Sequence, residues 1–257
     1  MELYSAYMEL TEIWDRCPDL RVPYGLYSMF KYSDRSWRLC CRHVDKILVD
    51  SGAYSFQRGT KRGNLSFDQY VERYITFVRR NTRSPKITGF FEVDTDITIG
   101  VEAVNDIRKD LNKISDKIIP VWHKTRSIDD FYRLCEEYKG RRIAITGRAS
   151  DCEVGQYNLF INAAHKYGCK FHILGCTDFR LIKGLNLGLY DSVDSGSWRQ
   201  TACFGSMVIP KPDLLSVNQL SDFYPNLKTG YPSYINLGVM NVIAERYRTI
   251  DRSVKVT

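Results

Sequence analysis

The stretch Lys46–Tyr54 reads KILVDSGAY. An apolar, partly β-branched run stops at an acid, and two turn residues follow. That order suits a short buried strand whose carboxyl end opens into a loop. The closing Val49-Asp50-Ser51-Gly52 recurs as Val193-Asp194-Ser195-Gly196, and each copy precedes a small residue and an aromatic, Ala53-Tyr54 and Ser197-Trp198. Outward from Lys46–Val49, similar runs appear at Tyr24–Phe30, Ile87–Val93, Ile118–His123, Arg142–Thr146, Lys170–Leu174, Leu189–Val193 and, less sharply, Ser206–Ile209. Helical patterns lie between them. In Phe67–Arg80, the residues Tyr70, Tyr74, Phe77 and Val78 recur at helical spacing behind Ser66, a natural N-cap. Ile128–Tyr138 and Gln156–Tyr167 read the same way.

Strand–helix alternation repeated eight times predicts parallel βα units, and so an α/β fold of the closed (β/α)8 TIM-barrel type. The competing arrangement is an open doubly wound sheet, which usually has fewer strands and often a glycine-rich phosphate turn. Neither G-x-G-x-x-G nor G-x-x-x-x-G-K-[ST] occurs. No long linker or repeat divides the chain, so residues 1–257 read as a single barrel domain. The proline-rich stretch 210–257 reads as a C-terminal extension packed on it.

The chain has 257 residues, 44% hydrophobic and 26% charged, the balance of a globular protein with a sizeable core. No run approaches the roughly 18 apolar residues of a membrane span, and the N-terminus lacks the basic-then-apolar order of a signal peptide. Eight cysteines are scattered without a Cys-x-x-Cys pair. This composition predicts reduced thiols in a cytoplasmic protein. A formal charge of +7 is compatible with a polyanionic partner.

Barrel chemistry gathers at the carboxyl ends of the strands. Here those ends are Asp50, Asp94, His123, Gly147-Arg148, Gly175-Cys176 and Asp194. Singly, each Asp or Gly begins a turn or caps a helix. Together, three carboxylates on one rim predict a site in which both Val-Asp-Ser-Gly copies face one cavity. Such a set suits reaction at an anomeric carbon. One carboxylate attacks or stabilises the oxocarbenium-like centre, and another moves a proton to or from the leaving group. A third can accept from the donor edge of a nitrogenous base. The glycines let a planar ligand approach the backbone. Tyr54, Phe56, Trp122 and Trp198 either stack on a base or pack in the core.

The segments ILVDSGAYSF, FFEVDTD, IIPVWHK, IAITGRAS, KFHILGCTDFRL and YDSVDSGSW, in this order, resemble the queuine/archaeosine tRNA-guanine transglycosylase superfamily. Within it they resemble the short phage and bacterial branch associated with 7-deazaguanine insertion into DNA. The resemblance spans about residues 45–205, and DSGA-aromatic and VDS-x-SW are its most specific motifs. It implies a barrel that exchanges a purine base on an intact strand, with no cofactor. By this resemblance Asp194 is the nucleophile that attacks C1′, Asp50 handles protons of the departing and incoming bases, and Asp94 hydrogen-bonds the heterocycle. Gly147 lines the base pocket. Ser51, Gly52, Tyr54, His123, Arg148 and Trp198 fall on the substrate side. The implied partners are DNA, with tRNA as the alternative, and a free 7-deazaguanine-type base. A hydrolytic DNA glycosylase using the same carboxylates is the competing activity.

The tRNA enzymes carry a zinc subdomain with a Cys-x-Cys-x-x-Cys run. It is missing here, so no zinc subdomain and no metal are expected. Arg148 replaces the second of two adjacent pocket glycines and would narrow or recharge that pocket. His165, Cys169, His172 and Cys176 mimic a metal pattern. Four residues apart on a strand, however, His172 and Cys176 would lie about 13 Å apart, so a helix end and a barrel strand explain them. Arg58, Lys61 and Arg62 in RGTKRGN, together with Arg199, are candidates for the nucleic-acid backbone.

Overall fold

The computed structural model describes residues 1–57, 65–147, 153–176, 179–203, 206–210, 215–219, 237–238 and 241. Nine short strands form one parallel sheet: β1 (Glu2–Ser5), β2 (Val22–Ser28), β3 (Val44–Asp50), β4 (Ile87–Phe91), β5 (Ile118–Ile119), β6 (Val121–Trp122), β7 (Arg142–Thr146), β8 (Lys170–Leu174) and β9 (Ser192–Ser195). Their order is β5-β4-β3-β2-β1-β9-β8-β7-β6. Because β5 and β6 are one line of chain split at Pro120, the sheet's two edges meet in that segment. The result is a TIM-type barrel with eight staves.

The split has a chemical cause. Pro120 has no N–H for a ladder, although its carbonyl still accepts from Ala144 N–H at 2.9 Å. The following N–H, on Val121, donates instead to Glu92 at 2.6 Å. Glu92 is fully buried, and Arg108 holds its other carboxylate oxygen at 3.0 Å.

The connecting helices are α1 (Thr11–Arg16), α2 (Asp34–His43), α3 (Ala53–Gln57), α4 (Phe67–Asn81), α5 (Asp96–Ile99), α6 (Val101–Ile114), α7 (Ile128–Glu137), α8 (Val154–Lys166), α9 (Phe179–Lys183) and α10 (Ser197–Cys203). The helical spacing in α4 works as expected: Tyr70, Tyr74, Phe77 and Val78 are all buried. Ser66 caps the helix, with its hydroxyl accepting from Gln69 N–H at 3.2 Å while the Gln69 side chain accepts from Ser66 N–H at 3.1 Å. Such a reciprocal cap contributes about 1 kcal/mol.

One stave differs from the expectation. Ser206–Ile209 is not a barrel strand, because Ser206–Pro210 (β10) pairs antiparallel with Leu215–Gln219 (β11) in a separate hairpin. The first stave is Glu2–Ser5, seated between β2 and β9. Of the extension expected over 210–257, only Pro210, 215–219, 237–238 and 241 fall within the described residues.

The barrel interior is filled. At its amino-terminal end, Glu2 takes Lys46 at 3.0 Å and Arg142 at 2.9 Å. Tyr4 packs edge-on against Tyr24 at 5.3 Å and His172 at 6.4 Å, and Phe91 lies 5.0 Å from His172. These rings form a floor beneath the carboxyl-terminal rim. Among the described residues, no helix is long and apolar enough to cross a membrane.

Candidate active site

Above that floor opens a cavity of about 440 Å³. Asp50, Asp94, Asp96 and Asp194 line it with Tyr54, His123, Thr146, Gly147 and Gly175. Both Val-Asp-Ser-Gly acids therefore share one chamber, of a size that suits a small ligand.

Asp194 lies within β9, opposite Tyr4 of β1. Two donors hold its Oδ1: the Gly175 N–H at 2.8 Å and His172 Nε2 at 3.1 Å. Asp194 Oδ2 has no partner among the described residues. The His172 Nδ1 in turn meets the Ser192 hydroxyl at 2.8 Å. His172 is completely buried, and that burial lowers its pKa against the opposing pull of Asp194. The imidazole is therefore neutral near pH 7. A carboxylate only accepts, so the ring proton belongs on Nε2, and Nδ1 accepts from Ser192. The sequence reading assigned His172 only to a barrel strand. Only the β8–β9 register, which the structure supplies, sets His172 opposite Ser192 and thus on the face of Ser192 and Asp194.

Asp50 ends β3 opposite Ser28. Burial raises its carboxyl above the usual range. Hydrogen bonds from Gly52 N–H and the Ser28 side chain oppose the rise, and the Asp194 charge adds to it. A carboxyl poised in this way holds and releases a proton nearer neutrality than a solvated one.

The two turns use glycine for different reasons. Gly52 has φ +76°, and a Cβ there would come within 2.6 Å of Phe30 and of the Tyr70 hydroxyl. At Gly196 the constraint is close approach, since a Cβ would lie 2.5 Å from the Tyr7 ring. Tyr7 itself sits at φ 68°, so this edge of the site is already strained.

Asp94 follows β4. Its carboxyl is raised well above the usual range, first by burial and then by the charges of Asp50 and Glu92. His123 Nε2 stands 3.7 Å from it. Beside them Arg126 clamps Asp96 through two bonds, 2.7 and 2.5 Å, and both side chains are buried. That ion pair ties the β4–α5 and β6–α7 loops together and fixes the Asp94 segment.

The structure thus brings Asp50, Asp94, Asp194, Tyr54, His123 and Gly147 into the lining of one cavity. Tyr54 is 45% exposed at the cavity wall. Other expected substrate contacts are corrected. Trp198 is fully buried, its indole N–H donating to Ala6 carbonyl at 3.1 Å. It is a core side chain whose truncation to alanine would cost about 3–5 kcal/mol. For Trp122, where stacking and core packing were both open, the side chain is buried and packed on Phe131 and Phe160. Ser51 and Gly52 are buried and shape the turn without lining the cavity, and the Ser51 carbonyl accepts from the Tyr70 hydroxyl. Arg199, expected at the nucleic-acid backbone and not in the pocket, holds its guanidinium 5.2 Å over the Tyr7 ring. Arg58, Lys61, Arg62 and Arg148 lie outside the described residues. Among the described residues, no three His, Cys, Asp or Glu side chains gather as a metal site. In particular, His165 bonds Asp191 at 2.7 Å while His172 turns inward.

No protein-family model matches the chain, and no curated protein does. Among solved structures, it is similar to a GH10 endoxylanase retrieved from a sugarcane soil metagenome, with 9% identity, a TM-score of 0.45, and 94% of this chain and 96% of that one covered. A protein from Aquifex aeolicus VF5 shares 10% identity, with a TM-score of 0.41 and 93% and 98% covered. The YdjI aldolase of Escherichia coli shares 8%, with a TM-score of 0.38 and 99% and 93% covered.

Proposed function

We propose that this barrel is a pentosyl-transferring enzyme that replaces guanine in DNA with a 7-deazaguanine derivative. The observation that carries the reading is the shared cavity, which Asp194, anchored through one oxygen, and Asp50 both line. In the proposed reaction, Asp194 Oδ2 attacks C1′ of the nucleotide and the C1′–N bond breaks. The departing base takes the proton held by Asp50, and the strand remains attached as an ester of Asp194. An incoming deazapurine loses a proton to Asp50. Its nitrogen attacks C1′, and the Asp194 ester breaks to free the carboxylate. No nucleotide is hydrolysed and nothing is oxidised or reduced.

Other features fit these steps. His172 and Gly175 fix the attacking carboxylate without adding a positive charge beside it. Asp94, held toward its neutral form, offers a donor and an acceptor together to a base edge. Tyr54 presents an aromatic face at the cavity wall. The resemblance of the DSGA and VDS-x-SW motifs to the transglycosylase superfamily points to the same chemistry. A target base within a duplex would have to flip out of the stack, whereas a single strand could enter directly.

The test is mass spectrometry of nucleosides from DNA incubated with the protein, with and without a free 7-deazaguanine base. Incorporation that depends on the free base supports exchange. Base loss leaving abasic sites would make the enzyme a glycosylase, and modification of tRNA but not DNA would move the substrate to RNA.

A further inference from the structure

A second cavity, of about 370 Å³, lies between the Met29–Tyr32 segment and α4. Its α4 wall is a single helical stripe of Arg73, Thr76, Phe77 and Arg80, spaced i, i+3, i+4 and i+7. Tyr32 lies across from this stripe, its ring 5.6 Å from that of Phe77. Arg73 and Arg80 are exposed, and neither has an ion pair or hydrogen bond among the described residues. Glu72 at the same rim offsets only part of their charge. The inner wall is Tyr70, whose hydroxyl donates to the Ser51 carbonyl in the turn directly after Asp50. One turn of chain therefore separates this cavity from the reacting carboxylates.

We propose that the second cavity binds the nucleotide next to the reacting one on a single DNA strand, its phosphates on Arg73 and Arg80 and its base against Tyr32. Guanidinium groups suit phosphate because their fork matches its oxygens, and an aromatic wall suits a base of any sequence. The neighbouring-nucleotide assignment rests on the base-exchange reading, but strand binding itself can be measured without catalysis.

The experiment is a salt titration of a short fluorescent single-stranded DNA by anisotropy, with wild type, Arg73→Gln/Arg80→Gln and Arg73→Lys/Arg80→Lys. Both arginines are exposed, so the variants should fold, and thermal melting confirms it. Loss of two phosphate contacts should lower the slope of log affinity against log salt by about 1.4, at roughly 0.7 per contact. The Lys variant should keep the slope. An unchanged slope in the Gln variant overturns the site, as does a slope lost equally in the Lys variant. Tighter binding of an RNA of the same sequence overturns the DNA assignment. In exchange assays across a DNA titration, the Gln variant should show a raised KM for the strand and an unchanged kcat. A lost slope in a protein that exchanges no base would keep the strand site and remove the base-exchange reading. Exchange with an unchanged slope would remove only the strand site.

Discussion

Substituting His172 isolates the support of the attacking carboxylate. The ring is completely buried, between Tyr4 and Phe91, so His172→Phe preserves most of the packing and removes both polar contacts. Asp194 Oδ1 then keeps only the Gly175 N–H. A hydrogen bond to a charged group contributes about 1.5–3 kcal/mol. If it orients the attacking oxygen in the transition state, its loss lowers kcat roughly 10- to 150-fold at 1.36 kcal/mol per decade. The assay is single-turnover base exchange on saturating DNA, with strand affinity measured separately and expected to hold. Stability should fall by about 1–3 kcal/mol, because the Ser192 hydroxyl loses its acceptor in a buried position. The pH dependence gives an independent readout. Burial holds the folded His172 pKa below that of the unfolded chain, so below about pH 6.5 the unfolded state binds a proton that the native state refuses. Wild-type stability should therefore decline as pH falls below that point, and His172→Phe should flatten the decline. A folded His172→Phe enzyme with wild-type kcat would refute the positioning role.

Asp50→Asn should slow exchange far more than it weakens strand binding, as read by the ratio of single-turnover rate to Kd. Equal losses in both would remove Asp50 from proton transfer. Gly196→Ala forces a methyl to 2.5 Å from the Tyr7 ring and should cost about 1–3 kcal/mol by thermal melting. Tyr7→Leu in the same chain should recover part of that loss, and a neutral Gly196→Ala would disprove the close approach. His165 has a pKa raised by its hydrogen bond to Asp191, so its contribution is complete below about pH 6.5 and is lost as pH rises through the higher folded value. His165→Gln should lower Tm at pH 6 more than at pH 9; equal losses would exclude the charged pair.

The barrel and three of its rim carboxylates were legible because short runs ending in Asp50, Asp94 and Asp194 carry both the strand and its functional end in a few residues. The first stave was not. Glu2 reads as a surface acid, and only the fold brings Lys46 and Arg142 to it inside the barrel. Ser206–Ile209 has the composition of a strand, but composition does not reveal that β11 would be its partner. Trp198 stands beside a catalytic-looking motif, yet burial is set by Tyr7 and Ala6, nearly the whole described length of the chain away. His172 was obscured by a metal-like spacing, because its role depends on the register between two strands.

Trapping the covalent intermediate tests the role of Asp194 most directly. Wild-type protein mixed with labelled single-stranded DNA, without a free base, should give a denaturation-resistant adduct that peptide mapping places on Asp194, and Asp194→Asn should give none. An adduct that persists in Asp194→Asn, or one mapped to another residue, would contradict Asp194 as the nucleophile.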